Sequence, residues 1–328
     1  MENIPFTKSA ARNHHFLPAA ALNGRERYMK HPKNRKKMLS VIAVAMLGIS
    51  LLVSLGFNFY LTVWKFDSYL QTIDQIQIMT TGILHNDLAF RDGIDYKFIY
   101  DFENEAYQQL IGTYGIVSIA GDGSEFEKGL RLMDEFAPRL RHESNFDNHI
   151  EINALSLLEY SLDNKNQGIN CRCKAQILNE MCLALGIYSR KVWIMPNSLY
   201  DRDCHVVNEL WDSSRNKWIM LDITNNEYWV DAYGMPLSIL EIRHKGAMQE
   251  FCTPVKPGDS LDDLEALREK YTADFLYIMK NMVYTQYCDR YTVGESSAIY
   301  TLLPVNLDPR SHSLISKRSC EHAPVREE

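Results

Sequence analysis

Positions 38–64, MLSVIAVAMLGISLLVSLGFNFYLTVW, carry no charged residue. At roughly 1.5 Å per residue such a helix reaches about 40 Å, more than the roughly 30 Å of a bilayer core. Phe57, Phe59, Tyr60 and Trp64 gather near its far end, where interfacial aromatic residues belong. Beyond it the pattern changes. Residues 65–90 place Phe66, Leu70, Ile73, Ile76 and Ile78 roughly on one side of a helix, and residues 94–120 leave helix and strand undecided between Gly112, Gly115, Gly121 and Gly123. An amphipathic helix is predicted over 125–142, interrupted by Pro138, and another over about 149–162. The stretch Gly168–Gly186 reads as a loop that turns into a helix. Ala175, Leu178, Cys182 and Leu185 follow Cys171 at helical spacing, which predicts one buried face, and Gly186 stands where a helix terminates. Residues 191–195, 203–211 and 217–223 read as strands. Residues 261–286 read as a helix opened by a Ser260/Asp263 capping box, and 307–328 as a polar tail.

Charge sharpens this picture. The 328 residues carry a formal net charge of −7, but nine of the 35 Lys/Arg and only two of the 42 Asp/Glu lie within 1–64. The remainder has 26 basic and 40 acidic residues, a net of −14, which argues against a nucleic-acid surface. Lys30, Lys33, Arg35, Lys36 and Lys37 precede the apolar run and only Lys65 follows closely, so the positive-inside rule places the N-terminus in the cytoplasm and residues 65–328 outside. A cleaved signal peptide has a shorter apolar core and a small-residue cleavage site, so an uncleaved signal anchor is expected. Met29 opens MKHPKNRKKM, itself an ordinary basic head for such an anchor, and residues 1–28 are either an over-called start or a tail. Peptides from 1–28 in the mature protein would exclude the first alternative.

Cys171 falls at the start of its helix, where unpaired N–H groups and the dipole favour a thiolate. His205 and Asp222 lie on the neighbouring strands read over 203–211 and 217–223. A nucleophilic cysteine needs a histidine within hydrogen-bond reach as base and proton donor, and a carboxylate to orient that histidine. The Cys171 N–H is the first candidate for the oxyanion, with Gln167 and Asn170 as candidates for a second donor. Other readings stand beside this one. Cys171, Cys173, Cys204 and His205 could hold zinc, and Cys173 could pair with Cys204 in an oxidising compartment. Seven cysteines fit one free nucleophile with optional pairs. Asp259, Asp262 and Asp263 suit the start of a helix better than calcium, so no metal and no cofactor is expected.

Cys171 followed by Ala175 and Gly186, the run Gly186-Ile187…Arg190, His205 followed by Asn208-Glu209, and Trp218 before Leu221-Asp222 together resemble the transglutaminase-like superfamily. The tail Asn225–Arg243 also looks like what bacterial members carry after the aspartate. The resemblance spans roughly 125–245, with a weaker echo to about 305. The chain departs from the pattern in having Gly168 three residues before the cysteine and Val207 two after the histidine. The resemblance implies an α+β, papain-like core with the nucleophile helix on an antiparallel sheet, and Cys171, His205 and Asp222 as the catalytic triad. The organisation expected is a basic segment 1–37, a transmembrane anchor 38–64, a juxtamembrane and accessory region 65–124, a catalytic domain 125–245, a helical extension 246–306 and a flexible tail 307–328. The implied function is a membrane-anchored extracytoplasmic thiol enzyme acting on amide bonds of protein or cell-surface peptides, by hydrolysis or by amine transfer. Its expected partners are a peptide substrate outside the membrane and the bilayer itself. The alternatives are an inactive binding scaffold with the same fold and a zinc-stabilised structural domain.

Overall fold

The structure is a computed structural model and describes residues 32–62, 82–164, 166–197, 203–309 and 312–325. The basic segment up to residue 31, most of the helix expected over 65–90, and Lys65 lie outside these. The chain divides into two units, Met1–Asp67 and Ser68–Glu328.

In the first unit, helix α1 runs from Pro32 to Tyr60. Its segment Lys37–Tyr60 is long and apolar enough to cross a membrane. Leu47, Leu52 and Phe57, on different sides of the helix, are each more than half exposed. A helix apolar all round is matched to a hydrocarbon surrounding rather than to an aqueous one.

The second unit is α+β. After a helical stretch at 82–86 come a two-residue strand, β1 (Ile99–Tyr100), and short helices α2 (Glu105–Tyr114) and α3 (Ile116–Ala120). These resolve the stretch whose pattern left helix and strand open. Helix α4 (Glu125–Phe136) starts at a capping box of Ser124 and Glu127. Pro138 ends it in a 3-10 turn, because proline has no N–H to continue the ladder. Next come α5 (Ala154–Asp163) and α6 (Cys171–Ala184), followed by strands β2 (Ser189–Met195), β3 (His205–Asp212), β4 (Lys217–Asp222) and β5 (Glu227–Asp231). Gly186 leaves α6 at a φ of +73°, the left-handed conformation that glycine adopts without strain.

Helix α7 (Ile239–Met248), strand β6 (Cys252–Val255), helices α8 (Leu264–Lys270) and α9 (Thr272–Lys280), strands β7 (Tyr284–Cys288), β8 (Arg290–Tyr291), β9 (Ile299–Leu302) and β10 (Ser313–Leu314), and helix α10 (Lys317–Glu321) follow. The sheet order is β10-β9-β7-β2-β3-β4-β5-β6. All neighbours are antiparallel except β10 and β9, so the sheet is mixed at one edge.

Residues 246–306 are therefore not a helical extension, since they supply β6, β7 and β9 to the same sheet as β2–β5. The helix read over 261–286 breaks into α8 and α9, and its cap is Asp263, which accepts from the Ala266 N–H, rather than Ser260. The stretch 307–328 includes β10 and α10, and its Ile315 and Cys320 are buried.

Helices cover both faces of the sheet. Leu210, Ile219 and Leu221 pack with α4, α5 and α6 on one side. Val192, Ile194, Val207, Met220 and Trp229 pack with α7 and α9 on the other. Strand β3 is consequently buried at every position but Trp211, and its sequence HVVNELWD shows no strict alternation.

Candidate active site

Helix α6 starts at Cys171 because Asn170 caps it, the Asn170 Oδ1 accepting the Cys173 N–H at 3.1 Å. The loop before it is pinned to residues 141–143 by two backbone bonds, Ile169 N–H to Arg141 O at 3.1 Å and Glu143 N–H to Ile169 O at 3.0 Å. Gly168 fits this crossing because a Cβ there would stand 2.6 Å from the Glu143 Cβ. The glycine three residues before Cys171 thus lets two chain segments pass at close range.

Beyond its first turn, α6 is buried from Cys173 to Leu183, not on one face alone. Helices on one side and the sheet on the other enclose it, so its polar residues must find partners inside. Gln176 donates to Glu180 at 2.7 Å and to Gly294 O at 2.8 Å. Glu180 accepts from the N–H groups of Ala154 at 3.0 Å and Gly294 at 3.1 Å. Burial pushes the Glu180 carboxyl up to about 7 against the pull of these donors. A carboxyl raised above its unfolded value of 4.5 contributes its full stability below that value and loses it as pH rises through about 7. Chemical denaturation of the full-length protein in detergent is expected to show roughly 3 kcal/mol lost across that window, and Glu180→Gln to flatten the slope.

His205 opens β3 and Asp222 closes β4, so adjacent strands bring the two side chains together at one end of the sheet. The His205 Nε2 lies 2.7 Å from Asp222 Oδ2. Asp222 is fully buried and held from several directions. Its Oδ1 accepts from the N–H groups of Thr224 at 2.9 Å and Asn225 at 3.4 Å, and its Oδ2 also accepts from Asn225 Nδ2 at 3.1 Å. The Cys171 side chain acts on the same ring through a hydrogen bond and its charge. Burial disfavours the charged imidazole. The Asp222 charge and hydrogen bond, with the Cys171 bond and charge behind them, more than offset it and hold His205 well above its ordinary value. The Tyr277 ring meets the imidazole edge-on at 5.3 Å and covers it from the α9 side.

The three residues singled out from the sequence therefore converge. Asn170 Nδ2 gives one of its two hydrogens to Asn148 Oδ1 at 3.1 Å. All seven cysteines are unpaired. Cys173 is buried 3.6 Å from Asn148 Oδ1, and burial raises its thiol to about 11. Among the described residues, no three His, Cys, Asp or Glu side chains gather as metal ligands.

Sequence reasoning missed two groups beside Cys171, His205 and Asp222. Glu227 pairs directly across the β4–β5 ladder from Asp222 and is fully buried. Neither of its carboxyl oxygens has a partner among the described residues. Burial, then the charges of Asp222 and Asp274, push it well above the usual carboxylate range, which favours its neutral form. Lys174, one turn along α6 from Cys171, is only 2% exposed. Burial lowers its ammonium to about 8, against the opposing pull of Asp222 and Cys171. The Glu227 position was readable from the tight turn between two strands, but its burial was not. The Lys174 signal was a lysine at the third residue after Cys171.

The chain matches no protein-family model and no curated protein. Among solved structures it is similar to one described as a candidate cysteine protease from Cytophaga hutchinsonii, determined at 1.9 Å. The two are 16% identical, with a TM-score of 0.29, over 48% of this chain and 50% of that one. The alignment thus spans about half the length of either chain.

Proposed function

We propose that this chain is a membrane-anchored thiol enzyme of the transglutaminase-like type, with Cys171 as nucleophile, His205 as base and proton donor, and Asp222 as the residue that orients His205. The observation that carries this reading is one buried imidazole with a carboxylate 2.7 Å from Nε2 and the Cys171 side chain acting on the same ring. The two flanking groups favour a charged ring, and a charged ring favours a thiolate. In the attack, a bond forms between the Cys171 Sγ and the amide carbon while the carbonyl π pair moves to oxygen. The backbone N–H of Cys171, at a helix start, faces that developing charge. The pair then returns, the C–N bond breaks, and His205 gives its proton to the leaving amine. Water or a second amine resolves the acyl-thioester, which separates hydrolysis from transfer.

The papain-like core, with the nucleophile helix against the sheet, belongs to this reading. So does the topology, with α1 in the bilayer, the basic N-terminal segment in the cytoplasm and the triad outside. An inactive scaffold of the same fold would have no need of a buried and fully hydrogen-bonded Asp222 behind the histidine.

The test uses full-length protein in detergent. Iodoacetamide at pH 6.5 is expected to alkylate Cys171 at least tenfold faster than the other six cysteines, and His205→Ala to abolish that preference. Fluorescein-labelled casein, with and without dansylcadaverine, then separates released peptide from incorporated amine. A Cys171 no more reactive than a buried thiol, or one indifferent to His205→Ala, overturns the reading.

A further inference from the structure

Packing fixes most of α6 but not its start. The helix is buried from Cys173 to Leu183, while Cys171 and Arg172 are only half-buried. Helix ends fray where packing stops, and the Cys171 N–H lies in that first turn. Hydrogen bonds hold the turn instead. Asn170 caps it, and Asn208 of β3 grips α6 one turn further on, at Ala175 O. A third hold comes from the segment 292–295, between β8 and β9, which runs along the helix. It meets Arg172, Gln176 and Glu180, which stand four residues apart and so form one stripe. Gly294 N–H donates to Glu180 Oε1 at 3.1 Å, Gln176 Nε2 donates to Gly294 O at 2.8 Å, and Arg172 Nε donates to Glu295 Oε1 at 2.6 Å.

The last of these contacts is bidentate, since Arg172 Nη2 also donates to Glu295 Oε2. A bidentate pair fixes orientation as well as distance. Glu295 is itself anchored. Its Oε1 accepts from Lys191 Nζ on β2, the strand beside the one that carries His205. Burial works against the Glu295 charge, but the Arg172 hydrogen bond and the Lys191 charge hold its carboxyl below the ordinary value. One carboxylate thus ties the residue after Cys171 to the sheet that positions His205.

We propose that Arg172 is a positioning residue, held by Glu295, that fixes the first turn of α6 so that the Cys171 N–H meets the developing oxyanion. This rests on the enzyme reading above. A donor stabilises that oxygen only from hydrogen-bond distance. A shift of about 1 Å in a positioned group can cost about 100-fold in rate. Alkylation of the sulfur by a small reagent forms no oxyanion and needs no such donor. The two reactions therefore separate placement of the N–H from the state of the sulfur.

The probes are p-nitrophenyl acetate and iodoacetamide, on full-length protein in detergent with the Cys171→Ala background subtracted. In acylation a C–S bond forms, the ester C–O bond breaks, p-nitrophenolate leaves, and the thiol proton passes to His205. In alkylation a C–S bond forms, the C–I bond breaks, and iodide leaves. Arg172→Gln is expected to lower acylation about 100-fold, with the rate and pH profile of alkylation near those of the wild type. It should fold, because the Arg172 side chain is 38% exposed. Arg172→Lys keeps the charge but not the fork, and is expected to recover acylation to within about tenfold of the wild type, but not fully. Glu295→Gln is expected to reproduce the loss, and the double variant to match either single. Wild-type acylation by Arg172→Gln overturns the proposal. So does an equal loss in both reactions, which marks a purely structural pair, and so does a double variant whose losses multiply. If Arg172→Gln does not fold, Arg172→Lys decides, since a wild-type ratio of acylation to alkylation excludes the role. Acylation no faster than the Cys171→Ala background, or alkylation indifferent to His205→Ala, overturns the enzyme reading itself.

Discussion

Replacing Asp222 with asparagine is expected to lower the kcat of the amide reaction by about 10⁴-fold, the size typical of a triad carboxylate turned into an amide. The reason lies in the donors around it. Asp222 Oδ2 accepts from both His205 Nε2 and Asn225 Nδ2, while Oδ1 accepts two backbone N–H groups. An amide can keep its oxygen toward the backbone pair, but its NH₂ then faces two donors. His205 must present a lone pair at Nε2 to meet it, so its proton moves to Nδ1, the nitrogen that should take the proton from Cys171. The base is switched off by its tautomer, with the geometry nearly unchanged. The donor facing Asn225 also costs about 1–2 kcal/mol of stability. Measuring kcat together with the pH profile of Cys171 alkylation separates the two effects. The variant should stay folded while its alkylation profile reverts to that of an ordinary thiol. Wild-type turnover in folded Asp222→Asn would mean that His205 does not act through Asp222.

The parts legible beforehand are those where one local signal governs the outcome. The uncharged run 38–64 could only be a long apolar helix, and α1 is one. Pro138 had to end a helix. Cys171 had to sit at a helix start once the loop at Gly168, the apolar spacing and Gly186 were read together. His205 and Asp222 were legible as neighbours because β3 and β4 are joined by a short turn.

The illegible parts depend on partners distant in sequence. Strand β7 pairs with β2 across some ninety residues, and its Tyr-Thr-Gln-Tyr-Cys follows so closely on α9 that the helical pattern runs on into it. The 307–328 stretch read as polar because only a few of its side chains are buried. Yet Arg190, on a strand at the centre of the sheet, donates to Cys320 O at 2.6 Å. Helix α6 read as amphipathic because Lys174, Gln176, Asn179 and Glu180 are polar. Their burial follows from the second set of helices, which periodicity cannot show.

The same distant contacts set the largest expected stability effect. Arg190 on β2 and Glu209 on β3 form an ion pair at 2.6 Å, and both side chains are 1% exposed. The guanidinium also stacks on the Trp218 ring at 3.8 Å, and Glu209 Oε1 accepts the Ile239 N–H at 2.9 Å, fixing the start of α7. Glu209→Leu removes the anion and leaves a buried guanidinium, expected to cost about 3–5 kcal/mol. That is a large share of the ~5–15 kcal/mol that holds a typical domain together. The pair itself is worth much less than this, because two desolvated ions replaced by well-packed apolar groups often break even. Arg190→Met combined with Glu209→Leu is therefore expected to recover most of the loss, with the new thioether side chain keeping a contact on the Trp218 ring. Denaturant midpoints of the two single variants and the double measure this directly. Additive losses would mean that the charges do not depend on each other. Because Glu209 lies one residue from Asn208, which anchors β3 to α6 through Ala175 O at 2.9 Å, Glu209→Leu should also weaken the His205 dependence of Cys171 alkylation. That weakening should occur at temperatures where the protein is still folded.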